Sequence, residues 1–314
     1  MRISRWAVLA VLLLIFCTLP FWSGESVVSV FALVFLYMAL GQMWNLLAGY
    51  TGLVSLGQQI FIGLGGYTLA VATEFFRLPI SAGILAGGIV SLVFALVISP
   101  PIFKMRGVYF AIGTWIVAES LAIFFSNWTY VQAGQGINIS IAYGLSITSI
   151  YYLALCFGLA ALALVYYLLR SRFGLALMAM RDNESAAETL GVELYKTKLK
   201  CYLISAFVTG ITGGALYLSI AYIQPNAAFG INWTIAMVFM VIIGGIGTVE
   251  GPVLGALIYV LLNQYLYNFP GISMIILGAV AIIVILVAPG GIMGTLQERF
   301  GFELISVRRK FKEA

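Results

Sequence analysis

The chain has 314 residues, of which 62% are hydrophobic and 9% charged, with a net charge of +5 and a mean hydropathy of +1.08. Soluble globular proteins carry roughly 25% charged residues, so this composition excludes a cytosolic enzyme, a secreted domain and a disordered chain. Histidine is absent, as is any Gly-x-x-x-x-Gly-Lys-Ser/Thr stretch, which removes His-based triads, zinc and haem sites and nucleotide hydrolysis from the chemistry of this chain.

Apolar runs of about 20 residues match the roughly 30 Å of bilayer hydrocarbon at 1.5 Å per helical residue. Ten such segments are predicted, so the fold class is all-α, a polytopic membrane protein. The first, 6–22, follows Arg2 and Arg5 and ends in Leu19-Pro20-Phe21-Trp22. Bulky aromatics suit an interfacial anchor better than a small-residue cleavage site, so this segment reads as retained. The second, 27–47, carries Asn45 and runs into a glycine cluster, Gly49-Tyr50-Thr51-Gly52 followed by Gly57, Gly63, Gly65 and Gly66. The third, 53–72, contains Gln58 and Gln59 beside that cluster. For these three polar residues two roles stand open, interhelical hydrogen bonds or substrate passage.

The fourth and fifth segments are 80–98 and 107–125. Glu119 lies within the fifth, about 20 Å along the helix from Arg106. An ionisable group at that depth is expected to face the bundle interior or a water-filled cavity, as a structural hydrogen-bonding group or as part of a transport pathway. The sixth segment, 147–169, leads into the longest charged stretch inside the chain, 170–200.

In that stretch Asp182 or Asn183 can cap a helix, Glu184 sits where the helix dipole favours an acid, and Gly191 can end the helix in a left-handed cap. About two turns are predicted over 182–190. Ala186, Ala187 and Leu190 then form one small apolar face between Glu184 and Glu188. Two turns are not stable alone in water, so the face docks either on its own membrane domain or on a partner protein whose motion the helix transmits.

The seventh segment is 201–221. The eighth, 233–248, ends in the second glycine cluster, Gly244-Gly245-Ile246-Gly247, followed by Gly251 and Gly255. Gly251-Pro252 places proline where a helix begins, opening the ninth segment, 252–268; Glu250 falls in the tight turn before it and is expected to be solvated or near a partner. The tenth is 271–288. Glycine makes up 34 residues, about 11% against an average near 7%. The clusters read either as close helix packing or as broken helices along a transport path, with Gly52, Gly244, Gly245 and Gly247 the positions concerned.

Basic residues test the topology. Ten crossings from a cytoplasmic N-terminus place every one of the sixteen Lys and Arg residues except Arg77 on the cytoplasmic side. Both termini are therefore expected there, and the positive charge reads as a topology signal rather than as a nucleic-acid surface. The tail, with Arg308, Arg309, Lys310 and Lys312, is suited to anionic membrane lipid at about 1 kcal/mol per residue. Cys17, Cys156 and Cys201 lie far apart in apolar surroundings without metal spacing and read as core residues. The whole of 1–314 is read as one transmembrane domain, with a cytoplasmic loop at 170–200 and a basic tail at 298–314, requiring no cofactor or metal.

Four stretches carry a family resemblance: Asn45-Leu-Leu-Ala-Gly-Tyr-Thr-Gly-Leu-Val-Ser-Leu-Gly57, Phe61-Ile-Gly-Leu-Gly-Gly-Tyr67, Arg181-Asp-Asn-Glu184 and Gly244-Gly-Ile-Gly-Thr-Val-Glu-Gly-Pro252. Together they resemble the LivM family, permeases of branched-chain amino acid importers of the ATP-binding cassette class. The 182–191 stretch, with Glu184, Ala186, Ala187 and Gly191, is similar to the loop by which such permeases dock on their ATPases. Gln58 departs from the family, which often has His there, and this bears on substrate more than on fold. The resemblance implies a ten-helix, two-repeat importer permease fold with broken helices, two ATPase subunits, a second homologous permease subunit and an external binding protein, in a bacterial plasma membrane. A permease of the same family for urea or short amides is the alternative; from other classes, an ion-coupled secondary transporter rests on Glu119 alone, and a membrane enzyme lacks a nucleophile with a base.

Overall fold

A computed structural model of the chain describes residues 2–266 and 269–300. Each predicted segment has a helical counterpart: α1 (Arg2–Trp22), α2 (Glu25–Thr51), α3 (Gln59–Glu74), α4 (Ile80–Ile102), α5 (Val108–Asn127), α6 (Ile147–Arg170), α9 (Leu194–Ile220), α11 (Asn232–Gly244), α12 (Gly251–Leu266) and α13 (Pro270–Val287). Four further helices are shorter: α7 (Arg172–Asp182), α8 (Glu184–Thr189), α10 (Pro225–Ala228) and α14 (Gly291–Phe300).

Helix α2 is the axis of the bundle. It is apolar on every side, as expected of a helix surrounded by others, and nearly all of it from Val34 to Thr51 is buried. α6 packs along it; a Cβ on Gly158 would lie 2.9 Å from the Phe35 carbonyl oxygen. α1 is tied to α6 by Tyr151 Oη donating to Phe16 O at 2.6 Å and Tyr152 Oη donating to Cys17 O at 2.9 Å. On another side α3, α4 and α9 converge on three glycines. A Cβ on Gly65 would lie 2.0 Å from Gly210 O, and one on Gly87 would lie 2.9 Å from Gly65 O. The close-packing role expected of small residues in membrane helices is thus filled here.

Several boundaries differ by a few residues from the sequence-based expectation, as where α2 runs to Thr51 and α4 to Ile102, and three of the differences have a clear physical reason. The third segment, expected from 53, becomes helical only at Gln59. Gly52 turns the chain with φ +74°, and the polar backbone of the break finds partners elsewhere: Trp44 Nε1 donates to Ser55 O at 2.9 Å and Leu56 N–H donates to Thr114 Oγ1 at 3.1 Å. The eighth segment stops at Gly244, and 245–250 is non-helical. α9 starts at Leu194, seven residues before the apolar part, because Lys196, Lys198 and Lys200 favour helix while lying outside hydrocarbon.

At the end of the bundle opposite α8, the two long loops pair. Ile137–Asn138 (β1) and Tyr222–Ile223 (β2) form a two-residue antiparallel ladder, with Ile137 opposite Ile223. Most of the basic tail read at 298–314 lies outside the described residues.

Candidate functional site

The segment 170–200 begins with a tight reversal at Ser171, whose Oγ caps α7 by accepting from Gly174 N–H. Helix α7 ends at Asp182, and Asn183 closes it and opens α8: its Oδ1 accepts the Ala186 N–H at 3.1 Å. Asn183, rather than Asp182, is thus the cap. After α8 the chain turns through Gly191 at φ +84°, with Gly191 N–H donating to Glu188 O at 2.9 Å and Val192 N–H to Ala187 O at 3.0 Å. That pair is the glycine-terminated Schellman arrangement.

Ala186 and Ala187 of α8 and Leu190, which follows it, do not share a face, contrary to expectation. Ala187 is 1% exposed and packed into the chain's own core, whereas Ala186 points outward and Leu190 is 79% exposed. The reason is the register of the anchoring contacts. Glu184, one turn before Ala187, is drawn inward by Lys198 of α9, whose Nζ lies 2.6 Å from Glu184 Oε1. This fixes Ala187 inward and leaves Ala186 and Leu190 on the far side. Ala187 therefore docks on the chain's own bundle, and Ala186 and Leu190 are left exposed.

Beneath α7 and α8 the two glycine clusters meet. A Cβ on Gly49 would lie 2.6 Å from Gly247 N and 3.0 Å from Gly247 Cα, so the last turn of α2 rests on the 245–250 loop backbone to backbone. Side chains of α2 hold that loop. Asn45 Oδ1 accepts from Gly247 N–H at 2.9 Å, Asn45 Nδ2 donates to Thr248 O at 2.8 Å, and Gln42 Nε2 donates to Val249 O at 2.6 Å. Thr248 Oγ1 donates to Gly245 O at 2.7 Å and accepts from Gly251 N–H at 3.0 Å, spanning the loop and capping α12. Buried backbone groups of an interrupted membrane helix require such partners.

The candidate residues fall into three groups. Asn45, Gly52, Gly244, Gly245 and Gly247 come together around this junction. Asn45 is a fully buried tie between α2 and the non-helical 245–250 loop. Gly244 lets α11 touch the start of α12, since its Cβ would lie 1.8 Å from Gly251 O, and Gly245, at φ +126°, sits against Gly291 of α14. Gln58 lies apart, buried between α3 and α9, its Nε2 donating to Ser205 Oγ at 2.9 Å; beside it Thr234 hydrogen-bonds to Gln59. Glu119 is the exception. It does not face the interior of this chain: α5 packs inward through Phe110, Thr114, Ala118 and Ala122, and Glu119 is exposed on the opposite side among Ile112, Trp115, Ile116 and Ile123. A shallow cavity of about 500 Å³ continues that flank, lined by Lys104, Arg106, Tyr109 and Ile116. Glu250 is 5% exposed rather than solvated, within reach of Gln297 Nε2 at 3.5 Å.

Sequence reasoning singled out Asn45 but not Gln42, although the two lie three residues apart on an otherwise apolar helix, a spacing that places both amides on one face. It also quoted Arg181 without a role. Arg181 Nη1 donates to Gly49 O at 3.1 Å, and its side chain lies over Gly52, where a Cβ would be 3.7 Å from Arg181 Cγ.

Among the described residues seven helices are long and apolar enough to cross a membrane, with α12 and the latter part of α1 as shorter apolar ones. Such an all-α bundle, with its backbone satisfied internally and two interrupted helices meeting below a capped polar segment, defines a multi-pass membrane permease. The family model described as "Branched-chain amino acid transport system / permease component" matches residues 26–285. The chain belongs to that family. It is 25% identical to the high-affinity branched-chain amino acid transport system permease protein LivM of Escherichia coli K12, over 91% of this chain and 74% of that protein. To a probable branched-chain amino acid transport permease protein LivM of Methanocaldococcus jannaschii it is 36% identical, over 32% of this chain and 30% of the relative. The L-arabinose ABC transporter permease protein AraH of Azospirillum brasilense is 25% identical over 82% of this chain and 78% of its own length. No solved structure matches significantly.

Proposed function

We infer that the chain is the membrane-spanning subunit of an ATP-binding cassette importer that passes branched-chain or related small aliphatic amino acids into the cell. Two ATPase subunits supply hydrolysis, a second homologous permease subunit completes the pathway, and an external binding protein delivers and selects the cargo. The protein lies in the bacterial plasma membrane with both termini cytoplasmic, in the orientation that the basic residues favour.

The observation that carries this reading is the outward half of α8. A six-residue helix capped at both ends, anchored by Ala187 and by the Glu184–Lys198 pair, presents Ala186 and Leu190 away from the bundle. A rigidly held, exposed leucine among charges is what a partner groove needs and what an isolated loop does not require. Asp182, Asn183, Glu184 and Gly191 build this knob, and Ala186 and Leu190 are its contact surface. Glu119 supports the second subunit, because a carboxylate on the outer flank of a membrane helix is costly against lipid and acceptable beside a water-lined path shared with another chain. Gly52, Gly244, Gly245 and Gly247, with Asn45 and Gln58, shape that path from behind.

The test is copurification and uptake. Leu190→Glu should abolish association with the ATPases while the chain still inserts and Lys198 still meets Glu184. Normal copurification of that variant would remove α8 as the docking element. Uptake by the reconstituted complex, measured side by side for leucine, isoleucine, valine, urea and arabinose, assigns the cargo; transport of urea or arabinose alone would overturn the amino-acid reading.

A further inference from the structure

The ties that hold α8 to the bundle are not equivalent. Ala187 packs into the core and Glu184 meets Lys198 of α9, a continuous 27-residue helix. A third tie runs through Arg181, two residues before the Asn183 cap, and this one ends on an interruption. Its guanidinium holds Asp182 Oδ1 with Nε at 3.1 Å and Nη2 at 3.0 Å, and reaches Gly49 O with Nη1 at 3.1 Å. Gly49 O belongs to the last turn of α2, where carbonyls lack partners within the helix and a cation is favoured. The same carbonyl faces the 245–250 loop: a Cβ on Gly247 would lie 3.3 Å from Gly49 O and 3.4 Å from Arg181 Nη1. One turn back on α2, Asn45 grips Gly247 N–H and Thr248 O.

Movement of α8 must reach a part of the bundle that can change shape. Continuous helices resist such change, whereas a few non-helical residues can absorb large φ/ψ changes as a hinge. The 245–250 loop, entered through Gly245 at φ +126° and containing Gly247 at φ +74°, is such a place. We propose that Arg181 is the positioning residue that transmits displacement of α8 to the α2–loop junction, with Asn45 acting next in series to set the 245–250 hinge. This rests on α8 being the ATPase-docking element and adds the route by which its motion enters the membrane. Arginine suits the task because its planar fork fixes direction as well as distance, holding the acid beside α8 and the carbonyl of α2 at once; lysine can hold one of the two.

The experiment reconstitutes the complete complex in vesicles and reads cargo molecules transported per ATP hydrolysed. Arg181→Met should assemble with its ATPases and hydrolyse ATP within about twofold of wild type, while transport per ATP falls by about tenfold, a size typical of coupling between sites. Arg181→Lys should fall between the two and carries the test should Arg181→Met fail to assemble. Arg172→Met, which removes an exposed charge from the same segment, should keep the wild-type ratio. Asn45→Ala should also uncouple, and the double variant should be no worse than the worse single one, because the two residues act in series. An unchanged ratio in Arg181→Met or Arg181→Lys, or losses in the double variant that multiply, would overturn the proposal. Failure of the underlying reading would be seen separately, as a wild-type complex without ATP-driven transport.

Discussion

Substituting Gly244 by alanine sets two opposed effects against each other, and the geometry decides between them. In a helix interior alanine is favoured over glycine by about 1 kcal/mol, an upper limit for Gly244, the last residue of α11. The added methyl, however, would stand 1.8 Å from Gly251 O and 2.4 Å from Gly251 C. The obstacle is backbone at the first residue of α12, not the tip of a flexible side chain, so α11 and α12 must part by about 2 Å to restore ordinary contact. Overpacking of this kind costs typically 1–3 kcal/mol. The displacement also pulls on the loop joining the two helices, where Asn45 makes bonds of 2.9 and 2.8 Å, at about 1 kcal/mol for each bond lost. The net expectation is a loss of about 2–4 kcal/mol after the propensity gain is subtracted. Unfolding in mixed detergent micelles measures it, with Gly278→Ala in α13 as the comparison: a Cβ there has nothing within 4 Å, so that variant should be neutral or slightly more stable. Equal stability of Gly244→Ala and Gly278→Ala would refute the backbone contact between α11 and α12.

Two further outcomes follow from other parts of the molecule. Gly191→Ala meets no steric neighbour but must hold φ +84°, at about 1 kcal/mol, so hydrogen exchange at the amides of 186–192 should accelerate about fivefold while the rest of the bundle is unchanged; unchanged exchange would mean that α8 does not need its glycine cap. Titration of leucine, isoleucine or valine into the purified permease without its binding protein should show no affinity better than about 1 mM, near −4 kcal/mol, because buried Asn45 already spends both ends of its amide on its own chain; micromolar binding would place the selecting site within the membrane.

Elements whose cause is local were legible in the sequence. A bilayer imposes a length on apolar helices, and the requirement is met residue by residue along one segment, so each of the ten predicted apolar segments has a helix, seven helices among the described residues being long and apolar enough to cross, with errors at Gly52 and Gly244, where the backbone breaks. Caps are equally local: an Asx side chain three residues before the amide it accepts, and a glycine at positive φ, mark both ends of α8 wherever it lies. What only the tertiary structure decided is which side of each helix is inside. In water the polar face of a helix announces the outside, but lipid is as apolar as a protein core, so helices such as α2 and α5 carry no comparable mark. Glu119 was therefore expected inward and lies outward, and Ala187 was grouped with Leu190 although the Glu184–Lys198 pair turns it the other way. The meeting of Gly49 with Gly247 and the reach of Arg181 to Gly49 O join residues 198 and 132 positions apart. Contacts of that kind depend on how three helices cross, because glycine removes the side chains that would otherwise have signalled a partner.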